Sequence, residues 1–272
     1  MIIAQISDLH VQPAGKKAYG IVDTNELLKA AVEQLNRLQP QPDIVVATGD
    51  LVDERTEAEY QMLQEILAPL KAPIYFVMGN HDDRAAFRKV FPNLPYMPSE
   101  GFVQYVLDDY PVRIIAIDTL VDGEGYGDMD TERLAWLDTQ LAARSDKPTI
   151  IFMHHPPFAT GLPGMDRLQC RGNEALATVI SQYPCIQRVA CGHLHRSIQT
   201  TWAGTLGSIA PSVAHQVALK LTPDSTNAFV MEPPAFHMHL WNATMGLITH
   251  TVFIGDFAAY SYKTKAPIEL YQ

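Results

Sequence analysis

Five short segments carry side chains suited to holding divalent cations. Asp8 and His10 stand in SDLH, and Asp50 in TGD. Asn80, His81 and Asp82 stand in GNHDD, His154 and His155 in MHHPP, and His193 and His195 in GHLH. Histidine nitrogen combined with carboxylate oxygen suits borderline ions such as zinc, manganese, iron and cobalt. Residues two apart in a strand-end loop can point the same way. Asp8 with His10, and His193 with His195, are therefore chelating pairs, and Gly192 gives the backbone room to turn. The set exceeds what one tetrahedral ion needs, which predicts two ions.

Each fragment has an ordinary reading on its own. DLH occurs by chance, GD is a turn signal, and HH before PP suits a strand exit. GNHD is more specific, because a turn rarely needs Asn-His-Asp together. The weight lies in the order D-x-H, GD, GNHD, HH, GHxH along one chain.

These residues need elements to bring them together. Apolar runs at Ile2–Ile6, Asp43–Ala47, Pro73–Val77, Thr149–Met153 and Ile186–Cys191 read as buried strands. Each is followed by one of the five segments. Open α/β sheets bind ligands outside the carboxyl ends of their strands, so the five segments are expected to converge on one edge. Helices are predicted over Asn25–Leu38, Glu57–Leu70, Arg84–Phe91, Thr131–Arg144 and Asn173–Gln182, with further strands near Phe102–Leu107 and Val112–Ile117. After Cys191 the pattern turns to strands at Ile198–Trp202, His215–Leu221, Ala235–Trp241 and Leu247–Ile254. A loop is expected over Leu221–Pro234, where Asp224, Ser225 and Asn227 accompany prolines, and an irregular tail from Tyr260. The pattern predicts an α/β fold with two packed sheets. Residues 1–200 are expected to form the core that carries the site, and strands in 201–272 to complete the second sheet and contribute to a dimer surface.

Composition narrows the partners. The 272 residues carry a net charge of -10 and no basic patch, which argues against a nucleic-acid polymer. No apolar run approaches the length of a membrane span. Cys170, Cys185 and Cys191 are too few and irregular for a disulfide framework, so a cytoplasmic setting is expected. MIIAQISDLH lacks a basic flank and a cleavage site, and reads as a strand, not a signal peptide.

The ordered motifs, spanning residues 8 to 195, resemble the calcineurin-like metallophosphoesterase superfamily. The resemblance implies a four-layer αββα sandwich with two mixed central sheets. It assigns Asp8, His10, Asp50 and His195 to a first ion, and Asp50, Asn80, His154 and His193 to a second, with Asp50 bridging. Further segments, KKAYGIVDTN, IFMHHPPF, MDRLQC and VAHQV, are similar to bacterial glycerophosphodiesterases and class III cyclic-nucleotide phosphodiesterases. The implied activity is hydrolysis of small phosphodiesters with two divalent ions (Fe, Mn, Zn or Co), hydroxide on a metal attacking phosphorus. A phosphomonoesterase is the alternative, and a non-catalytic scaffold is the reading from another class. Such scaffolds lose ligands or the GNH histidine, and here none is missing.

His81, next to ligand Asn80, is the candidate to protonate the leaving alkoxide or to bind a phosphoryl oxygen. Its other reading is to orient a ligand. His215 is the second substrate-facing candidate, with a packed histidine as its alternative. His155, Asp53 and Asp82 are expected beside the ligands and not among them. His237, His239 and His250 are expected on one sheet face, structural or interfacial. The substrate's organic half is expected to meet loops at Gln12–Tyr19, Asp122–Met129 and Ala159–Asp166.

Overall fold

Unbroken apolar runs such as IVVAT and TIIFM form strands covered on both faces. The computed structural model describes residues 1–223 and 227–269. In chain order its elements are β1 (Ile2–Ile6), α1 (Thr24–Arg37), β2 (Ile44–Thr48), α2 (Glu57–Leu67), β3 (Ile74–Val77), α3 (Arg84–Val90) and β4 (Tyr105–Leu107). There follow β5 (Arg113–Ile117), α4 (Thr131–Ala143), β6 (Thr149–Met153), α5 (Pro163–Asp166), α6 (Asn173–Ser181), β7 (Ile186–Cys191), β8 (Ile198–Trp202) and β9 (Thr205–Ile209). The chain closes with β10 (Gln216–Val217), β11 (Phe229–Val230), β12 (Ala235–Asn242), β13 (Gly246–Phe253), β14 (Ala259–Tyr260) and β15 (Pro267–Ile268).

Two mixed sheets result. The first has the order β13-β12-β1-β2-β3, with β1, β2 and β3 parallel and β12 antiparallel to β1. The second has the order β4-β5-β6-β7-β9-β8, parallel from β5 to β9 and antiparallel at both edges. Alternate side chains of each strand face opposite ways. Ile3, Ile44, Val46, Ile114, Ile150 and Phe152 fill the space between the sheets. Ala4, Ile6 and Val45 pack outward against Leu28 and Leu35 of α1 and Leu63 of α2. Ile115, Ile151 and Val189 do the same against Leu137 of α4 and Ile180 of α6. The layers are therefore helices, sheet, sheet, helices, as expected. No helix among the described residues is long and apolar enough to cross a membrane.

The C-terminal segment departs from expectation. Its strands do not complete the second sheet alone. β9 joins that sheet beside β7, whereas β12 and β13 extend the first from β1. The alternation in AFHMHLWN explains this, because both faces of β12 find cover. Phe236 and Met238 enter the outer core, and His239 Nε2 lies 3.0 Å from Gln5 Oε1 on the inner face. The two parts are bonded to each other across residue 200, Ser212 Oγ donating to Asp8 O at 2.9 Å. The strand expected over His215–Leu221 shortens to β10, and β11 lies inside the expected loop. Asp224 and Ser225 of that loop lie outside the described residues. The tail expected to be irregular contains the β14–β15 pair. His237 and His239 are fully buried. His250 is exposed and pairs with Met238, so it lies on the other face from the first two.

Candidate metal centre

The loops after β1, β2, β3, β6 and β7 meet at one edge of the two sheets. Their backbones are unusual. Asp8, His10, Asp50, His193 and His195 all have φ between 45° and 72°, a left-handed region that non-glycine residues rarely adopt and that clusters at functional sites. Neighbouring loops hold them there. The N–H groups of Leu9 and His10 donate to Asp50 O at 2.8 and 2.9 Å, and His193 N–H donates to Asp8 Oδ1 at 3.0 Å. Gly79 is needed for this contact, because a Cβ there would meet Asp50 and would lie 2.9 Å from His154 Cε1.

Asp8, His10, Asp50 and His195 offer ligand atoms all within 4.8 Å of one another. His10 Nε2 lies 3.1 Å from His195 Nε2 and 3.7 Å from Asp50 Oδ2, and His195 Nε2 lies 3.4 Å from Asp8 Oδ1. His10 Nδ1 is 2.9 Å from Asp53 Oδ1, and His195 Nδ1 is 2.9 Å from His215 O. Those oxygens only accept, so each Nδ1 carries a proton and donates it. In the neutral rings two Nε2 lone pairs then face each other, an arrangement that a cation between them satisfies.

Asp50 turns its other oxygen to a second group. Oδ1 lies 3.3 Å from His154 Nε2, which lies 3.2 Å from Asn80 Oδ1, while His154 Nδ1 donates to Thr48 O at 2.8 Å. The His193 ring sits 5.1 Å from that of His154, and its buried Nε2 has no hydrogen-bond partner. All seven expected ligands are therefore brought together, and their orphaned or opposed nitrogens fit divalent cations.

The histidines of the centre divide by charge: two are held neutral, whereas His10 and His154 are raised, burial opposing this and the neighbouring carboxylates outweighing it. Burial, then the neighbouring His154 and His10 charges respectively, pushes His193 and His195 down to about 3, leaving both neutral and able to ligate. Burial opposes charge on Asp50, but His154 and His81 hold its carboxyl well below the usual range. Burial likewise opposes charge on His154, yet Asp50 raises it to about 9. Burial raises Asp8.

His81 lies at the rim. Its N–H donates to Asp50 Oδ1 at 2.8 Å, and its Nδ1 donates to Asp53 O at 2.8 Å. The ring lines a cavity of ≈ 320 Å³ with His10, Asp50, Asn80, His193, His195 and His215. His215 is buried, with Nδ1 unpartnered and its ring 4.6 Å from that of His195. Burial, then His195 and His10, lowers it to about 2. Asp82 is buried, accepting from Gly79 N–H at 2.8 Å and Tyr60 OH at 2.9 Å.

The bonding partners of His155 and Asp53, and the apolar part of the cavity wall, were not legible in the sequence. His155, expected beside the ligands and not among them, is fully buried, bonded through Nδ1 to Thr119 Oγ1 at 2.8 Å, with its ring 4.7 Å from those of both His154 and His193. Asp53 binds His10 directly. Phe229, Leu168 and Val217 line the cavity beside Tyr19 and Met165. Tyr19 stacks on Phe229 at 5.1 Å and 20°. Of the three loops expected around the substrate, Gln12–Tyr19 and Ala159–Asp166 supply lining residues; Asp122–Met129 does not.

Comparison with known proteins agrees with this geometry. The profile of the calcineurin-like phosphoesterases matches residues 1–197. A protein of Arcobacter nitrofigilis named probable glycerophosphodiester phosphodiesterase GpdQ is 39% identical over 259 residues, 94% of each chain. One of Rhodopseudomonas palustris named probable cyclic nucleotide phosphodiesterase is 39% identical over 236 residues, 85% of each. Among solved structures, a dimetal phosphatase of Danio rerio superposes with a TM-score of 0.64 at 16% identity, over 94% of this chain and 99% of that one, which shows the shared fold. The chain belongs to the calcineurin-like metallophosphoesterases, enzymes that hydrolyse phosphoric esters with the help of metal ions.

Proposed function

We propose that the chain hydrolyses small phosphodiesters, glycerophosphodiesters or 3′,5′-cyclic nucleotides, at a centre of two divalent ions drawn from Fe, Mn, Zn and Co. The observation that carries this reading is the placement of Asp50, with one oxygen toward the His10 group and the other toward His154 and Asn80. Asp8, His10, Asp50 and His195 would hold the first ion, and Asp50, Asn80, His154 and His193 the second. Bound there, the ions supply activation of the nucleophile and positive charge for the phosphoryl oxygens. The protein's own groups do the rest. Asp50 sets the separation of the two ligand sets. His81 lines the cavity, where its ring, protonated on both nitrogens, would give the Nε2 proton to the departing alkoxide while Nδ1 stays bonded to Asp53 O. His215 borders the same cavity and holds His195 through its carbonyl.

The cavity wall favours a diester over a monoester. Beside the polar groups of the centre, Tyr19, Met165, Leu168 and Phe229 give it an apolar part, and among the described residues it has no lysine or arginine. A diester carries a second organic group that this apolar part can cover, which a monoester lacks. The names of the relatives also support diesters. The test is a kinetic panel on metal-reconstituted protein: glycerophosphoethanolamine, cyclic AMP, bis(p-nitrophenyl) phosphate and p-nitrophenyl phosphate. A higher kcat/KM on p-nitrophenyl phosphate than on every diester would replace this reading with the phosphomonoesterase.

The same reading places the enzyme in the cytoplasm as a homodimer or higher homo-oligomer. Its three cysteines are free, which suits a reducing compartment. The dimer face is narrower than the apolar C-terminal sequence suggests. Phe236 and Ile254 are buried within the chain, and Phe229 faces the cavity. Met231, Met245 and Phe253 remain exposed and available to a second copy. A monomeric mass by light scattering at micromolar concentration would reject the dimer.

A further inference from the structure

Among the described residues three arginines are buried, Arg113, Arg133 and Arg188. Arg113 pairs with Asp108 at 2.9 Å and Arg133 with Asp130 at 2.8 Å. Arg188 has no such partner among those residues. Its Nη1 donates to the hydroxyl of Thr249 at 2.5 Å, and its Nε–H meets no acceptor. Burial alone pushes the guanidinium down, to about 10. A buried cation without a counter-charge is costly, so this position favours an anion.

Other donors surround it. Arg188 and Ala190 share the inner face of β7, and Ala190 pairs with Ser208 of β9. Ser208 is fully buried, and its hydroxyl has no partner. From the first sheet, His237 and His239 of β12 enter the same layer, their rings 5.8 Å apart. Both nitrogens of His239 are used, Nε2 on Gln5 Oε1 and Nδ1 on Thr249 Oγ1 at 2.7 Å, the hydroxyl that Arg188 also reaches. His237 differs. It is fully buried, its Nε2 lies 3.1 Å from Ser197 Oγ, and its Nδ1 has no partner. A way in opens at the flank of the sandwich, where Ser197 and Thr251, the β13 residue paired with His237, line a cavity of ≈ 390 Å³.

We propose that the layer between the sheets binds one small monovalent anion, of chloride size, at Arg188. The Arg188 Nε–H, the His237 Nδ1–H and the Ser208 hydroxyl donate to it. Ser197 donates to His237 Nε2, so the neutral ring keeps its proton on Nδ1. One negative charge matches one guanidinium, whereas a divalent anion would leave an uncompensated charge in a buried layer. All three donors belong to residues at most 5% exposed, so the ligand is an inorganic ion and not the charged end of a larger molecule. Arg188 and Ser208 come from the second sheet and His237 from the first, so the ion joins the two. None of the three is a ligand of the metal centre.

The test uses metal-loaded protein, with bromide as the probe in crystals and chloride in solution. Anomalous diffraction at the bromine edge is expected to place one bromide within hydrogen-bonding reach of Arg188 Nε and His237 Nδ1. In urea melts at constant ionic strength, replacing gluconate by chloride is expected to raise the wild-type midpoint, and the rise should grow with chloride concentration. Arg188→Met is expected to lose both the rise and the bromide. Ser208→Ala removes one donor and no charge, and keeps the test decisive if Arg188→Met does not fold. It is expected to need roughly tenfold more chloride for the same rise, the worth of one hydrogen bond to a charged group. Water and no bromide beside Arg188 would overturn the proposal. So would a chloride effect as large in Arg188→Met as in the wild type, or one unchanged in Ser208→Ala.

Discussion

Asp50 Oδ1 accepts the main-chain N–H of His81 at 2.8 Å. The carboxylate between the two ligand sets is thus tied to the backbone, not the ring, of the proposed proton donor. Removing the ring should therefore leave Asp50 in place. His81→Ala is expected to keep its metal content and fold. Loss of a general acid typically costs ~10²–10⁴ in rate, so kcat should drop by that order on a diester with a poor leaving group. p-Nitrophenolate needs little protonation, and its ester should lose far less. Measuring both substrates at matched metal content decides the matter. Equal losses would make His81 a binding residue and turn the search for the acid to His215.

Asp50 and Asn80 should separate the two sites. Asp50 faces both ligand sets, so Asp50→Ala should lose ions from both. Asn80 Oδ1 lies only with His154, and a neutral amide is the weakest donor present. Asn80→Ala should therefore weaken mainly the second ion. Elemental analysis of each variant after gel filtration reads this directly. One tightly held ion and near-wild-type turnover in Asp50→Ala would be incompatible with the assignment.

His237 predicts an acid-sensitive sandwich. It is buried between the sheets, and burial, then the Arg188 charge, lowers it to about 4 from an ordinary 6.5. As pH falls below 6.5 the unfolded chain takes up this proton first. Stability from the neutral ring is thus fully present above pH 6.5 and is lost as pH falls through about 4. A shift of that size corresponds to an effect on the order of 3 kcal/mol. Denaturant melts between pH 7 and 4 should show a shallower pH slope in His237→Gln than in the wild type. Identical slopes would mean that His237 carries its proton in the folded state.

The centre was legible because ligands to a common ion are spaced by chemistry within each loop. Asp8 with His10 and His193 with His195 declare themselves at two residues apart, and a short apolar run ahead of each places it at a strand end. Contacts between distant segments were not legible. Nothing in GDLVDE says that Asp53 reaches back 43 positions to His10, or that the second histidine of MHHPP stays beside the first. The same limit applied to the sheets. AFHMHLWN reads as a strand, but its pairing with β1 depends on a match between its inner histidines and Gln5 across 234 residues. Phe229 had no motif at all; it reaches the cavity because β11 pairs with β10, directly after His215.

The most direct measurement is turnover of bis(p-nitrophenyl) phosphate during stepwise addition of Mn²⁺ to fully chelated protein, with bound metal counted at each step. Two ion sites sharing Asp50 predict little activity at one equivalent, a rise to a plateau at two equivalents per chain, and reversal by chelator. A plateau at one equivalent, or diester hydrolysis that persists after chelation, would contradict the two-ion centre.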